Sequence, residues 1–191
     1  MQIFFIGLFL MIVFSPFGEA NFILEPSVSY QAGKIDQGPL AGKASLTGPA
    51  VSLRAGIPLS PRFELGLESL YGHLAQEYQD NPQVIYGASQ TQIGAYFAGN
   101  FSVCRTWAGL YPLDQLDIPT RDQTFTGMAA RIGVGIPMMS KFNMSLDYTL
   151  HNYTQLETST GKFDIPYNDG FGTLPFDVST FTLSVSYILS L

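Results

Sequence analysis

From residue 22 onward the chain alternates apolar and polar positions with a period of two. The last segment shows it most fully: Phe181, Leu183, Val185, Tyr187, Leu189 and Leu191 alternate with Thr182, Ser184, Ser186, Ile188 and Ser190. Successive side chains of a strand point to opposite faces, so this spacing predicts a strand that meets two different environments. The same pattern sets Phe142, Met144, Leu146, Tyr148 and Leu150 against Asn143, Ser145, Asp147, Thr149 and His151, and Phe63, Leu65 and Leu67 against Glu64, Gly66 and Glu68. It recurs over 22–31, 51–57 and 127–136, more weakly over 90–99, and ambiguously over 101–111. Eight strands result.

Their connections alternate in length. Residues 57–61, 99–100 and 136–140 read as tight turns, whereas 34–45, 74–88, 112–123 and 155–178 read as long polar loops rich in Gly, Pro, Asp and Asn. Short turns at one end and long loops at the other predict an all-β, eight-stranded antiparallel up-and-down transmembrane β-barrel. Gly56-Ile57-Pro58-Leu59 with Arg62-Phe63-Glu64-Leu65 is echoed 79 residues later by Gly135-Ile136-Pro137-Met138 with Lys141-Phe142-Asn143-Met144, two strand–turn–strand units with the same role. A soluble lipocalin-like barrel would also alternate, with its apolar face inward. The polar face decides between them. It is mostly Ser, Thr, Gly, Ala, Gln and Asn, and all four lysines (Lys34, Lys43, Lys141, Lys162) fall in predicted loops or turns. A water-facing strand surface would carry Lys and Glu at many positions, while small polar residues suit the lumen of an eight-stranded barrel. Phe22, Phe63 and Phe142 open their strands near the short turns, and Tyr30 and Tyr71 follow eight residues later on the same face. Eight residues tilted by about 45° rise roughly 19 Å, close to the spacing of two aromatic girdles.

Composition narrows the picture. Only 13% of the 191 residues are charged, and 9 Lys plus Arg against 15 Asp plus Glu give a net charge of −6, the wrong sign for a nucleic-acid partner. With 15 Phe and 10 Tyr the chain is not disordered. One cysteine, Cys104, allows no intramolecular disulfide and no cysteine-based zinc site. Residues 3–14 (IFFIGLFLMIVF) are apolar but too few to span a bilayer as a helix. With the small residues Gly18 and Ala20 behind them, they read as a secretory signal cleaved after Ala20, leaving 21–191 as the barrel domain.

The alternating segments, short turns, long loops and amphipathic last strand resemble the small bacterial outer-membrane barrels, such as the transmembrane domain of OmpA and OmpX. The resemblance spans the whole of 21–191 and implies a bacterial outer-membrane location, contact with membrane lipid and lipopolysaccharide, and a monomer without cofactor or metal. In such proteins the last strand commonly ends in Phe or Trp; here it ends in Leu191, and Tyr187 is its last aromatic.

Parity aims Glu25, Arg54, Glu64, Glu68, Arg131 and Asp147 into the lumen. Charges of both signs in a narrow interior predict an ion-pair network that plugs the barrel, since a lone buried charge costs several kcal/mol (~3–5) and a paired one roughly breaks even. A narrow porin-like channel is the alternative. Arg105 breaks the pattern, because unbroken alternation from Phe101 and Val103 would aim it at lipid. A β-bulge or register change near Cys104 is therefore expected, turning Arg105 and then Trp107 inward. A lipid A-modifying enzyme would need a Ser–His–acid arrangement. Only His73 and His151 are present, and neither sits in a His-x-Ser pair. No catalytic residue is assigned. The predicted loops are acidic, and 74–88, 112–123 and 155–178 are candidate surfaces for an external ligand. Tyr167-Asn168-Asp169-Gly170 reads as a turn rather than as a calcium loop. Mass spectrometry of the membrane-inserted form should return Asn21 as the first residue; a chain that still carries residues 1–20 would contradict the signal assignment.

Overall fold

The computed structural model describes residues 22–36, 43–79, 81–138, 141–165, 167–168, 173–174 and 176–191, with the side chains of 81–84 and 167–174 left aside. The proposed signal and its cleavage site, the tip of the first predicted loop and the Asp169-Gly170 turn lie outside these residues. The chain runs as β1 (Ile23–Asp36), β2 (Lys43–Ser60), β3 (Phe63–Tyr78), β4 (Asn81–Asn100), β5 (Arg105–Ile118), a 3-10 turn (Pro119–Arg121), β6 (Gln123–Pro137), β7 (Phe142–Thr158) and β8 (Gly161–Asp164). Two short strands, β9 (Tyr167–Asn168) and β10 (Thr173–Leu174), precede β11 (Asp177–Tyr187) and β12 (Leu189–Ser190). β1 to β7 pair each with the next, and β11 pairs with both β7 and β1, which closes an eight-stranded antiparallel barrel. Closure is completed beside β12, where Phe22 and Leu191 exchange backbone hydrogen bonds of 3.0 and 2.8 Å. A closed ring leaves no unpaired edge for lipid to meet.

Alternation holds around the ring. Val28, Tyr30, Val51, Leu53, Leu65, Leu67, Ile132, Val134, Met144, Leu146, Leu183 and Val185 all face outward and are exposed. So continuous an apolar surface marks a hydrocarbon-facing band. Rings border it near the short turns, as in the Phe63–Phe97 stack at 5.5 Å and the Phe142–Tyr187 contact at 5.0 Å, and on its far side, as in the Tyr148–Phe181 pair at 4.8 Å.

The strands are longer than the sequence pattern predicts. Segments 74–88 and 112–123 are not loops: β3 continues to Tyr78 and β4 starts at Asn81, and β5 and β6 are joined across the 3-10 turn and Asp122, whose φ is +54°. Most of the described parts of 34–45 and 155–178 are strand as well, so Lys34 and Lys162 lie on β1 and β8. The cause is a second core. Beyond the apolar band the pattern inverts, and Ile35, Leu46, Leu74, Leu116, Ile118, Phe125, Tyr153, Phe176 and Val178 point inward and are buried together. Phe125 stacks on Phe176 at 4.0 Å, with Tyr153 against Phe176 at 5.6 Å. The extension therefore has its own apolar interior and a polar exterior, and its ladders stay formed outside the membrane.

Two contacts tie the extension's turns together. Arg121 donates to the Tyr78 hydroxyl and lies 5.5 Å from the ring centroids of both Tyr78 and Tyr86, joining the β5–β6 turn to the β3–β4 hairpin. The Ser159 backbone N–H donates to Asp122 Oδ2 at 2.7 Å, and hydrogen bonding from the Ser159 side chain and then from this N–H holds the Asp122 carboxyl below the usual carboxylate range. Truncating Leu74 to Ala should cost about 2–5 kcal/mol. Protease should then cut the extension faster while the barrel keeps its heat-dependent shift in gel mobility; unchanged protease resistance would mean that the outer cluster is not a core.

Candidate functional site

Inward positions on the membrane-spanning strands are mostly polar or small, and large ones such as Tyr96 and Trp107 fit where glycines face them. A Cβ at Gly133 would collide with Asp147 and the Trp107 indole, and one at Gly56 would meet the Glu64 carboxylate and the Tyr96 hydroxyl at 2.6 Å each. Small beside large is how a narrow barrel interior fills.

The structure places Glu25, Arg54, Glu64, Glu68, Arg131 and Asp147 inward, each no more than 5% exposed. Arg54 is the hub. Its guanidinium lies 3.2 Å from Glu68, 3.9 Å from Asp147 and 4.0 Å from Glu25, stacked 4.3 Å from the Trp107 ring. Arg131 lies 2.9 Å from the other Glu68 oxygen, donates through Nε to Thr149 at 3.0 Å, and sits over the Tyr111 ring at 4.6 Å. Glu64 joins the rest through Arg105, which pairs with Glu64 at 2.9 Å and with Glu25. Arg105, absent from the six, is thus the link that makes them one network.

Arg105 and Trp107 do face the lumen, at 5% and 4% exposure. The register change there is a turn rather than a β-bulge. Residues 101–104 leave the ladder, with the Phe101 N–H donating to the Cys104 carbonyl at 2.8 Å, and β5 starts afresh at Arg105. A bulge lies further along, where the ladder shifts between Tyr111 and Asp114 and both Pro112 and Leu113 face outward. Proline has no N–H to give the ladder and is tolerated at such a position.

Further residues complete the filling. Tyr96 donates to Glu64, Tyr111 to Glu68, and Ser186 to Glu25 at 2.6 Å. Arg131 also donates to Gln92, whose amide passes the chain to Asp114 at 3.0 Å. Asp114, read from sequence as part of an acidic loop, is a lumenal residue at 1% exposure, because the bulge at Pro112-Leu113 turns it inward. Its Oδ2 lies 2.7 Å from His151 Nδ1, and His151 Nε2 lies 3.1 Å from Thr180 Oγ1. Acid, imidazole and hydroxyl are in line, the order a nucleophilic site uses. Yet His151 is 6% exposed and Thr180 1%, and the His151 ring stacks at 5.7 Å on Tyr153 of the apolar cluster. His73 is exposed on the outer face of β3.

A void of about 10 Å³ remains between Ser27, Ser52, Arg54, Asp147 and Thr182, room for about one water. Among the described residues no group of three or more His, Cys, Asp or Glu is placed to hold a metal ion.

Arg54→Met keeps most of the side-chain volume but leaves three carboxylates short of a cation, and should cost about 3–5 kcal/mol. Trp107, the sole tryptophan, stacks on Arg54, so its fluorescence during urea unfolding reads the loss directly. Lys43→Met, which removes the exposed 3.7 Å pair with Asp36, should change stability by less than about 1 kcal/mol.

No protein-family model matches the chain, and no curated protein matches its sequence. Solved structures do match its fold. Ail, the attachment invasion locus protein of Yersinia pestis, superimposes with a TM-score of 0.54 at 10% identity, over 87% of this chain and 98% of Ail. Ail in complex with the heparin analogue sucrose octasulfate gives 0.53 at 11%, over 88% and 99%. Neisserial surface protein A gives 0.49 at 11%, over 87% and 96%. At these identities the likeness is one of fold: the chain is an eight-stranded β-barrel of the outer-membrane type, with a lumen filled by its own charged side chains.

Proposed function

We propose that this protein is a non-enzymatic anchor in the bacterial outer membrane, made as a precursor cleaved after Ala20 and acting as a monomer. Its barrel is closed to solute, and it holds a rigid extension at the cell surface for a structural or recognition role. The observation that carries this reading is the way the interior is filled. Three arginines and four carboxylates interlock across the lumen, and an apolar cluster lies above them. A pore would need a continuous aqueous path, and the void within the network has space for about one water.

The same filling argues against lipid modification. The Asp114–His151–Thr180 array has suitable distances, but its hydroxyl is buried, with Thr180 1% exposed. It serves better as a cross-link between β5, β7 and β11.

The recognition role rests on charge and rigidity. The four outer segments carry a net negative charge in sequence even with Asp114 turned inward. Ail was solved with a polysulfated sugar, and a polyanion of that kind would be repelled here. A cationic or neutral surface, or a divalent ion bridging to lipopolysaccharide, fits better. Contact would come through the outer part of the extension, whose described strands stay paired beyond the band. In planar bilayers the wild-type barrel should show no steady conductance. Stable channels should appear only when Arg54→Ala and Arg131→Ala are combined with Phe125→Ala and Phe176→Ala; steady current through the wild type would overturn the closed-anchor reading.

A further inference from the structure

The outer wall carries one feature that anchoring leaves unused. Where β1, β11 and β7 meet at the far edge of the apolar band, a groove of about 630 Å³ is lined by Ala32, Gly33, Lys34, Tyr148, Ser179 and Phe181. Its shape follows from the register. Ala32 pairs with Phe181, and Phe181 with Tyr148, so one small residue lies beside two adjacent rings 4.8 Å apart. One step outward, Lys34 pairs with Ser179, placing an ammonium beside a hydroxyl at the rim. A second hollow of about 280 Å³ between β6 and β7 shares Tyr148 and Phe181, which extends the apolar floor along the wall.

The level of Lys34 on the barrel is informative. Toward the short turns, the outward residues of β1 and β11 are apolar (Tyr30, Val28, Leu183, Val185) and exposed. Beyond it they are Asp36, Asp177 and, on β7, Asn152. Lys34 therefore stands where hydrocarbon gives way to headgroups. It makes no ion pair among the described residues, in contrast to Lys43, which lies 3.7 Å from Asp36, and Lys162, which lies 2.8 Å from Glu157. An exposed lysine over an apolar trough of this size is complementary to a lipid that carries a phosphate at the headgroup level and lays an acyl chain along the wall.

We propose that this groove is a specific site for a phosphorylated glycolipid of the surrounding leaflet. One acyl chain lies along Phe181, Tyr148 and Ala32, a phosphate sits at the Lys34 ammonium and the Ser179 hydroxyl, and the sugar lies against the polar positions beyond. Charge-assisted bonds to phosphate are short and strong, and the rings give the chain a fixed wall that bulk lipid does not. The inference rests on the membrane reading above but is independent of whether the lumen conducts.

Native mass spectrometry of the detergent-solubilised barrel, incubated with bisphosphorylated lipid A, tests it. The wild type should retain lipid A at least five-fold more than Lys34→Gln, and Phe181→Ala should lose retention to a similar degree. Lys34→Arg should retain it, and Lys43→Gln should match the wild type. Dephosphorylated lipid A should bind the wild type as weakly as lipid A binds Lys34→Gln, and phosphatidylglycerol should bind no better. The gel-mobility shift on heating confirms that each variant is folded. Equal retention by wild type and Lys34→Gln, equal loss on Lys43→Gln, or equal retention of phosphatidylglycerol would overturn the proposal. None of those results bears on the bilayer conductance that tests the closed anchor.

Discussion

The guanidinium of Arg54 is the interaction on which the rest of the barrel interior depends. It lies within 4.0 Å of three carboxylates from three different strands, Glu25 on β1, Glu68 on β3 and Asp147 on β7. Without it those acids would face one another in a space that leaves room for about one water. Arginine suits the position because its planar fork meets several acceptors and its face still stacks on Trp107. Arg105 and Arg131 extend the same arrangement toward the two ends, Arg105 on β5 bridging Glu25 and Glu64, and Arg131 on β6 joining Glu68 to Gln92. The network thus cross-links the cylinder through its axis, where backbone ladders cannot reach. Such pairing gives little net stability over an apolar filling, but each charge is costly to strand alone.

A second constraint acts along the axis. One strand, β2, carries outward Val51 and Leu53 within the band and inward Leu46 and Ala44 beyond it, so its apolar face changes sides along its length. β1 does the same, from outward Val28 and Tyr30 to inward Ile35. In hydrocarbon the apolar residues must face out, and in water they must face in. A continuous barrel obeys both only by inverting its pattern at the boundary. Bulges contribute: the shift at Pro112-Leu113 changes the parity of β5, so Asp114, Leu116 and Ile118 all reach the interior.

That inversion explains which parts of the structure were legible in sequence. Strict alternation within the band identified the strands, the closure and the six inward charges, because each segment there meets the same two environments throughout. Segments 74–88 and 112–123 look like loops in composition because Asp, Gln, Gly and Pro are frequent in them, and their apolar residues, Leu74, Leu116 and Ile118, fall out of phase with the band. A change of phase was the available signal, and a polar segment with apolar residues every second position is a strand in water. Arg105 was legible as an anomaly but not as a link, since its partners Glu25 and Glu64 are set by barrel closure. Asp114 and His151 meet only because a bulge on β5 and the register of β7 bring them to one level, which no local pattern contains.

Why fill the membrane-spanning lumen with charge at all, when the apolar cluster of the extension shows that this chain can build a hydrophobic core inside the same cylinder? An apolar lumen would make each strand apolar on both faces within the band. Register would then be weakly specified, because a one-residue slip would no longer exchange a polar face for an apolar one. Long apolar runs would also begin to resemble transmembrane helices, which cross a bilayer singly and need no closure. Polar inward residues keep the period of two, and with it a single register for eight strands. Placing ions rather than hydroxyls at three levels adds the requirement that strands distant in sequence arrive together. Glu25 and Arg105 are 80 residues apart, and Glu25 and Ser186 are 161 apart, yet both pairs must form for Glu25 to be satisfied. The charges therefore select one closed arrangement more than they stabilise it. Beyond the membrane, where water restores the ordinary rule, the chain returns to an ordinary core.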